Sequence, residues 1–322
     1  MPPTGEGAPA RSSGSGRWRR SFFRGILVTM SSRKIVHSVR LQDGETTHVR
    51  EYVPTASPRK ATPVFLLHGL GSTARLDWGP SFRPLAEHFR VLSLDHRGHG
   101  RGPRTDRFRL ERCADDAVHV ADALGIDRFI ATGWSMGGPI ACLTWRRHRV
   151  RVGGLVLCAT GRHFLPRVAA RAARVALPAA AGIARLAPET ARHRMIQQSL
   201  MRARGDEKRR RRVPREYAGH DPASVIDAFR ALTRYSSHDW IGEIDVPTAS
   251  IVTRRDGLVP ASRQRRLARS IVGAEIFEID GDHSACVTSI QEFVPTLIDA
   301  CNSVDARIGT AVSPVSGLRA IG

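Results

Sequence analysis

A serine between glycines stands where a short apolar run meets a helical pattern. Residues Gly133–Gly138 read Gly-Trp-Ser-Met-Gly-Gly and directly follow the apolar run 128–132. A serine at the apex of a strand-to-helix turn needs a strained backbone, and side chains two residues away on either side would collide there. Gly133 and Gly137 remove that collision. The sequence therefore predicts a strand, a sharp turn and a helix in succession, with the hydroxyl of Ser135 clear of the chain.

Short apolar runs alternate with helical patterns along the rest of the chain. From Leu110 to Leu124 apolar residues recur at steps of three and four, which predicts a helix with one buried face. Unbroken apolar runs are typical of strands buried on both faces, and their alternation with helices predicts an α/β fold with a doubly wound, mostly parallel sheet. The predicted strands are a hairpin of 35–41 and 46–53 around Asp43-Gly44, then 63–67, 91–94, 128–132, 154–159, 247–253 and 275–279. The other predicted helices are 82–89, 138–148, 262–270 and 290–300.

The composition divides the chain into four kinds of segment. Residues 1–32 are rich in Gly, Ser, Pro and Arg and are expected to form a disordered basic leader. Residues 33–161 and 241–302 carry the strand and helix alternation and form the α/β core. Residues 162–240 are rich in Ala, Arg and Leu and predict a helical insertion that lies over the sheet as a lid or cap. Residues 303–322 are expected to form a flexible tail.

The leader contains Arg19-Arg20-Ser21-Phe22-Phe23-Arg24, which looks like a twin-arginine export motif. An export signal also needs a longer apolar segment and a small-residue cleavage site, whereas only residues 25–30 precede the next basic residues. We expect a basic leader on a cytoplasmic protein, with Met30 as a possible start, and export or membrane association is the alternative. No run approaches the roughly 18 apolar residues of a membrane span.

The formal net charge is +20, and nearly all the basic residues are arginine. Such a field attracts nucleic acid and anionic membranes. No helix-turn-helix, zinc-finger or aromatic RNA-binding pattern accompanies the arginines, so no specific nucleic-acid partner is expected, while peripheral contact with a membrane or anionic surface stays open. The five cysteines are scattered and include no Cys-x-x-Cys pair, which argues against a disulfide framework or a zinc site. We expect neither a metal nor a cofactor.

Four loops that follow predicted strands carry residues suited to catalysis. They contain His68-Gly69-Leu70, Ser135, Asp256 and His283. Loops at the carboxyl ends of parallel strands converge on one edge of a sheet. A serine hydroxyl becomes a good nucleophile when an imidazole removes its proton, and a carboxylate holds that imidazole in the required tautomer. Ser135, His283 and Asp256 fill these three roles, whereas Gly-x-Ser-x-Gly alone also occurs in ordinary turns.

With these motifs the chain resembles the α/β-hydrolase-fold family over residues 35–300. The family order of serine, acid and histidine is matched by Ser135, Asp256 and His283. The resemblance implies that the backbone N–H groups of Leu70 and Met136 form the oxyanion hole, that Gly69 permits a close approach and that His68 braces this loop. The matching motifs are His68-Gly69, Asp95–Gly100, the turn at Ser135 with Gly133 and Gly137, Asp256–Pro260 and Gly281–His283.

Other residues compete for the same roles. Asp95 follows a strand, but it precedes the serine and the resemblance assigns its loop to the scaffold, together with His96 and His99. Asp282 is adjacent to His283 and is better explained as a turn residue. Dehalogenase- and epoxide-hydrolase-like relatives use an aspartate at the turn, so the serine at 135 argues against their chemistry.

The sequence thus predicts a serine hydrolase of the esterase or lipase type, acting on a small-molecule carboxylic ester through an acyl-enzyme. The alanines and leucines of 162–240 suit an apolar acyl group. Acyl transfer, carbon–carbon bond hydrolysis and cofactor-free peroxidation use the same triad and stay open, as does a non-catalytic ligand-binding protein. No residue indicates the substrate or the oligomeric state.

Overall fold

A computed structural model describes residues 32–54, 61–165, 188 and 219–310. Within these residues eight strands form one sheet in the order β1-β2-β4-β3-β5-β6-β7-β8. The strands are β1 Ser32–Arg40, β2 Thr46–Pro54, β3 Val64–Leu67, β4 Val91–Leu94, β5 Phe129–Trp134, β6 Val152–Cys158, β7 Thr248–Thr253 and β8 Glu275–Ile279. Strands β1 and β2 form the predicted hairpin, and β2 is antiparallel to β4, whereas β3 to β8 pair in parallel. The α/β prediction is confirmed.

The sheet is covered by helices on both faces, as its two apolar clusters show. Along β3, Phe65 and Leu67 point into one cluster, whereas Val64 and Leu66 point into the other. Successive side chains of a strand alternate between faces, so a strand covered on both sides has a nearly continuous apolar sequence. The helices in the described ranges are α1 Ala74–Trp78, α2 Phe82–Leu85, α3 Leu110–Ala123, α4 Gly137–Arg147, α5 Pro222–Arg234, α6 Ala261–Ala268, α7 Ala285–Thr288 and α8 Ile290–Thr310. None of these helices is long and apolar enough to cross a membrane.

The helix predicted for 82–89 is shorter than expected. The α-helical part ends at Leu85, and the amides of His88 and Phe89 both donate to the Leu85 carbonyl in the turns that follow. The chain changes direction here because Phe89 is buried and β4 begins at Val91.

The final helix is longer than expected, and the flexible tail predicted from residue 303 is wrong for 303–310. Val304 is fully buried, and an added Cβ on Gly154 of β6 would lie 2.3 Å from its Cγ1. The Thr62 amide also donates to Asp305 Oδ1 at 2.9 Å. The glycine leaves a notch in the sheet that the last turns of α8 fill, and these contacts carry the helix past residue 302.

Of the predicted insertion, only residues 162–165, 188 and 219–240 belong to the described residues. There α5 begins at an Asp221 cap, whose carboxylate accepts from the amides of Ala223 and Ser224. Ala228 and Leu232 of α5 are buried in the apolar cluster that also contains α3. The leader predicted for 1–32 lies outside the described residues except for residue 32, as do 166–187 and 189–218 of the insertion and 311–322 of the tail.

Candidate active site

Ser135 is the first residue after β5 and has a backbone φ of +52°. A positive φ is strained for a residue other than glycine, and such strain persists only where the surroundings enforce it. An added Cβ on Gly133 would lie 2.1 Å from the Gly137 carbonyl oxygen, and one on Gly137 would lie 2.1 Å from the carbonyl oxygen of Leu67. Because these contacts are with backbone atoms, both positions require glycine.

Hydrogen bonds from the neighbouring strand hold the strained serine in place. The Ser135 amide donates to the Cys158 carbonyl at 2.9 Å. The Ser135 carbonyl accepts from the Thr160 hydroxyl at 2.8 Å and from the Gly138 amide at 3.0 Å. The sequence interpretation missed Thr160, although its place just after the strand beside β5 could have indicated such a role.

Ser135, His283 and Asp256 form one chain of hydrogen bonds. The Ser135 Oγ lies 2.9 Å from Nε2 of His283, whose Nδ1 lies 2.7 Å from Oδ2 of Asp256. Since a carboxylate only accepts hydrogen bonds, the ring proton belongs on Nδ1, and Nε2 is left to accept the serine hydroxyl proton. The structure therefore brings together the three residues that the sequence predicts to be catalytic.

The Asp256 carboxylate is held from every side. Its Oδ1 accepts from the amides of Leu258 and Val259 at 2.9 and 2.8 Å. Its Oδ2 accepts from the Thr253 hydroxyl at 2.9 Å and the Gln264 amide group at 3.1 Å. Neither Thr253 nor Gln264 was predicted, because nothing in the local sequence marks a polar residue that bonds a carboxylate on a neighbouring loop.

Two opposing effects set the pKa of Asp256. Its side chain is fully buried, and this loss of solvent by itself raises the pKa. The hydrogen bond and charge of His283, with the Val259 amide and the Thr253 hydroxyl, outweigh the burial and lower the pKa below its ordinary value. The Asp256 carboxylate is thus ionised beside His283. A carboxylate must be ionised to stabilise a protonated imidazole.

Two amides beside the serine are available for an oxyanion. In the described part of the chain, neither the Leu70 nor the Met136 backbone N–H donates a hydrogen bond. An added Cβ on Gly69 would lie 3.4 Å from the Ser135 Cβ, which places this loop against the nucleophile. The Gly69 amide itself donates to Asp77 at 2.8 Å and is occupied. The arrangement suits the oxyanion hole that the resemblance implies.

His68 lies beneath this loop and is fully buried. Its Nε2 accepts from the His96 amide at 2.8 Å, so the ring proton belongs on Nδ1, which donates to the Gly69 carbonyl at 2.8 Å. Burial lowers the pKa of His68 well below its ordinary value, with a further contribution from His99. A neutral His68 that bonds both neighbours fits the bracing role expected from the resemblance.

The rival residues have other partners. The Asp95 carboxylate accepts from the amides of Ala74 and Arg101 at 2.9 and 3.0 Å and supports the loops there. Asp282 accepts from the Ser284 amide at 2.7 Å, as a turn residue does. No group of three or more His, Cys, Asp or Glu side chains in the described ranges is arranged to hold a metal ion.

The geometry can be compared with known proteins. A family model for the alpha/beta hydrolase fold matches residues 62–289. The chain belongs to the α/β-hydrolase family. The resemblance drawn from the sequence motifs is therefore confirmed.

Two curated relatives span most of the chain. A protein designated carbamate hydrolase RutD from Rhizobium rhizogenes is 31% identical over 250 residues, which cover 72% of this chain and 90% of the relative. A pimeloyl-[acyl-carrier protein] methyl ester esterase from Chromobacterium violaceum is 29% identical, with 73% of this chain and 92% of the relative covered.

Among solved structures, the enol-lactonase from Burkholderia xenovorans LB400 superposes with a TM-score of 0.70 at 23% identity. The match covers 83% of this chain and 100% of the lactonase. At this identity the likeness establishes the shared fold.

Proposed function

We propose that the protein is a serine hydrolase that cleaves a carboxylic ester through an acyl-enzyme. The observation that carries the proposal is the unbroken chain of hydrogen bonds from Ser135 through His283 to Asp256. Each member has the acceptor or donor that its role requires. Beside the nucleophile, the backbone N–H groups of Leu70 and Met136 donate no hydrogen bond within the described residues.

In the acylation half-reaction, Ser135 Oγ attacks the ester carbonyl carbon while Nε2 of His283 takes the hydroxyl proton. The carbonyl oxygen becomes an oxyanion that accepts from the amides of Leu70 and Met136. The protonated imidazole then gives its proton to the alkoxide oxygen as the carbon–oxygen bond breaks. The alcohol leaves, and the acyl group stays on Ser135.

In the deacylation half-reaction, water takes the place of the departed alcohol. His283 removes a proton from the water as its oxygen attacks the acyl carbon, and the same two amides stabilise the second oxyanion. Collapse of this intermediate returns the proton to Ser135 Oγ and releases the carboxylic acid. Asp256 stays ionised throughout and stabilises the imidazolium formed in each half-reaction.

An ester with an apolar acyl group is the substrate class we favour. The composition of residues 162–240, rich in Ala and Leu, suits a site for such a group. A curated relative designated a methyl ester esterase supports oxygen-ester chemistry.

The proposal is tested with p-nitrophenyl esters from acetate to octanoate. We expect the wild type to release nitrophenolate and Ser135→Ala to lose at least about 10⁴-fold in kcat. Ser284→Ala is the matched control, because Ser284 lies beside His283 and its hydroxyl has no part in the hydrogen-bonded chain. Equal turnover by wild type and Ser135→Ala would refute the proposal.

A carbamate is the second candidate substrate. The support is the 31% identity to the relative designated carbamate hydrolase RutD, 90% of whose length the match covers. A carbamate carbonyl can be attacked by the same serine, and the nitrogen lone pair slows the release of the carbamoyl group. A p-nitrophenyl N-alkyl carbamate in the same panel separates the two, since sustained turnover above that of the best ester would favour the carbamate.

A further inference from the structure

A buried carboxylate, Asp77 in α1, lies directly beneath the loop that carries Leu70. Asp77 is only 1% exposed to solvent. Oδ2 accepts from the Gly69 amide at 2.8 Å, and Oδ1 accepts from the Ser72 hydroxyl at 2.6 Å. An added Cβ on Gly69 would lie 3.3 Å from this Oδ2 and 3.4 Å from the Cβ of Ser135. One glycine therefore separates the carboxylate from the nucleophile.

Hydrogen bonds hold both peptide groups that flank Gly69, the one before it and the one after it. Its amide donates to Asp77, and its carbonyl accepts from Nδ1 of His68 at 2.8 Å. In a planar trans peptide the carbonyl and the following N–H point in opposite directions, so the direction of the Gly69 carbonyl sets that of the Leu70 amide. A glycine rotates freely in the absence of such anchors.

We propose that Asp77 is a positioning residue for the oxyanion hole, which aims the Leu70 amide by fixing the peptide that precedes Gly69. His68 fixes the peptide that follows, and the two side chains leave Gly69 no freedom to turn. Asp77 does not touch the substrate. This inference rests on the proposed function, because an oxyanion hole has a purpose only where a serine attacks a carbonyl or a phosphonate.

A carboxylate suits this position because its two oxygens accept from two donors at once. An asparagine at 77 can still accept from Gly69 with Oδ1 and donate with Nδ2 to the Ser72 hydroxyl, whose oxygen is also an acceptor. A leucine of similar shape can do neither. The pair Asp77→Asn and Asp77→Leu thus separates the hydrogen bonds from the filled space.

The test is the rate at which a fluorophosphonate labels Ser135, measured alongside ester turnover and inhibition by a trifluoromethyl ketone. Phosphonylation and the ketone adduct both place an oxyanion in the hole. We expect Asp77→Leu to lower the labelling rate and kcat about 10- to 100-fold, with KM within about 3-fold, and to weaken the ketone by the same factor as kcat. Asp77→Asn should lose less than about 5-fold.

A structural control comes from the same helix. The Thr73 hydroxyl caps α1 by accepting from the Leu76 amide at 3.1 Å. Thr73→Ala should lower the melting temperature and leave the labelling rate within about 2-fold. If Asp77→Leu does not fold, Asp77→Ala takes its place, with the same direction expected.

The outcomes separate this inference from the proposed function. Wild-type labelling without ester turnover would refute ester hydrolysis, while the labelling rates of the variants would still test Asp77. Unchanged labelling in Asp77→Leu, or a fall in kcat without a matching loss of ketone affinity, would overturn the positioning role. A wild type that is not labelled at Ser135 would overturn both.

Discussion

Asp256 Oδ2 lies 2.7 Å from Nδ1 of His283, whereas Asp282, the residue next to His283 in the chain, bonds the Ser284 amide instead. Two carboxylates are thus close to one imidazole, and only the one that is distant in sequence contacts it. The buried carboxylate holds the ring proton on Nδ1, so that Nε2 faces Ser135 as an acceptor.

Replacing Asp256 by asparagine should separate the two carboxylates in function. An amide –NH₂ facing Nδ1 favours the wrong tautomer, with the proton on Nε2, where it cannot accept from the serine. We expect Asp256→Asn to lower kcat about 10⁴-fold with a much smaller change in KM. The measurement is steady-state hydrolysis of the best p-nitrophenyl ester.

Asp282→Asn is the matched control. An asparagine Oδ1 can accept from the Ser284 amide as the aspartate does, so kcat should stay within about 2-fold of the wild type. Comparable losses in the two variants would contradict the assignment of Asp256 as the acid.

Gly133 should tolerate no side chain. An added Cβ would lie 2.1 Å from the backbone oxygen of Gly137, and backbone on both sides of the turn would have to move. We expect Gly133→Ala to lower the free energy of unfolding by about 3 kcal/mol or more and to abolish turnover, because the serine turn itself is displaced. Urea unfolding followed by circular dichroism measures the first effect.

Gly257 provides the comparison, since it follows Asp256 directly and an added Cβ there has no atom of the described chain within 4 Å. Gly257→Ala should change stability by less than about 1 kcal/mol and retain turnover. If both alanine variants behave alike, steric crowding at the serine turn is not the reason for the glycine.

Buried histidines should make the fold sensitive to acid. Burial lowers the pKa of His68, His96 and His99 well below the ordinary 6.5. The unfolded chain therefore binds protons that the folded chain excludes, and stability falls as the pH drops below about 6.5, by up to about 1.4 kcal/mol per pH unit for each histidine.

His96→Leu tests this dependence and keeps the backbone amide that donates to His68 Nε2. Among the described residues neither ring nitrogen of His96 has a hydrogen-bond partner, so the ring can be replaced without breaking a bond. We expect the slope of unfolding free energy between pH 6 and pH 5 to decrease by up to about 1.4 kcal/mol per pH unit. Ser93→Ala, at a buried position that does not titrate, should shift the curve without changing its slope. Parallel curves for wild type and His96→Leu would contradict the prediction.

The fold was largely predictable because its strands and helices follow from the order of apolar and polar residues within each short segment. Strands buried on both faces have nearly continuous apolar sequences, and the spacing of apolar residues from Leu110 onward marks the buried face of α3. The meeting of Ser135, Asp256 and His283 at one site was also predictable. The loops that follow parallel strands lie at one edge of the sheet, and the order of the three residues matched a family.

Residues that act across elements could not be predicted in the same way. Thr160, Gln264 and Asp77 are ordinary polar residues in the sequence, and their roles depend on which loop they meet after folding. The length of α8 was missed for the same reason. The Gly, Ser and Ala content beyond Asn302 predicts a flexible tail, but Val304 fills a notch that Gly154 of β6 creates.

Gln264 of α6 offers the last test, because its side chain links this helix to the carboxylate of Asp256. Its amide nitrogen Nε2, which carries two protons, lies within hydrogen-bond distance of three acceptors: the Val259 carbonyl at 2.7 Å, the Thr253 hydroxyl at 2.8 Å and Asp256 Oδ2 at 3.1 Å. Its Oε1 accepts from the Thr253 amide at 3.0 Å. Methionine has a similar length and makes none of these bonds, so two buried backbone groups lose their partner.

Gln264→Met should therefore lower the free energy of unfolding by about 2–6 kcal/mol, at about 1–3 kcal/mol for each of the two unpaired backbone groups. The Asp256 carboxylate loses one of its anchors, and we expect kcat to fall about 10-fold with KM nearly unchanged. Ser262→Ala, at an exposed position of the same helix, should change neither quantity measurably. Loss of stability with unchanged kcat would show that Gln264 supports the loop and leaves the alignment of Asp256 with His283 to the amides of Leu258 and Val259.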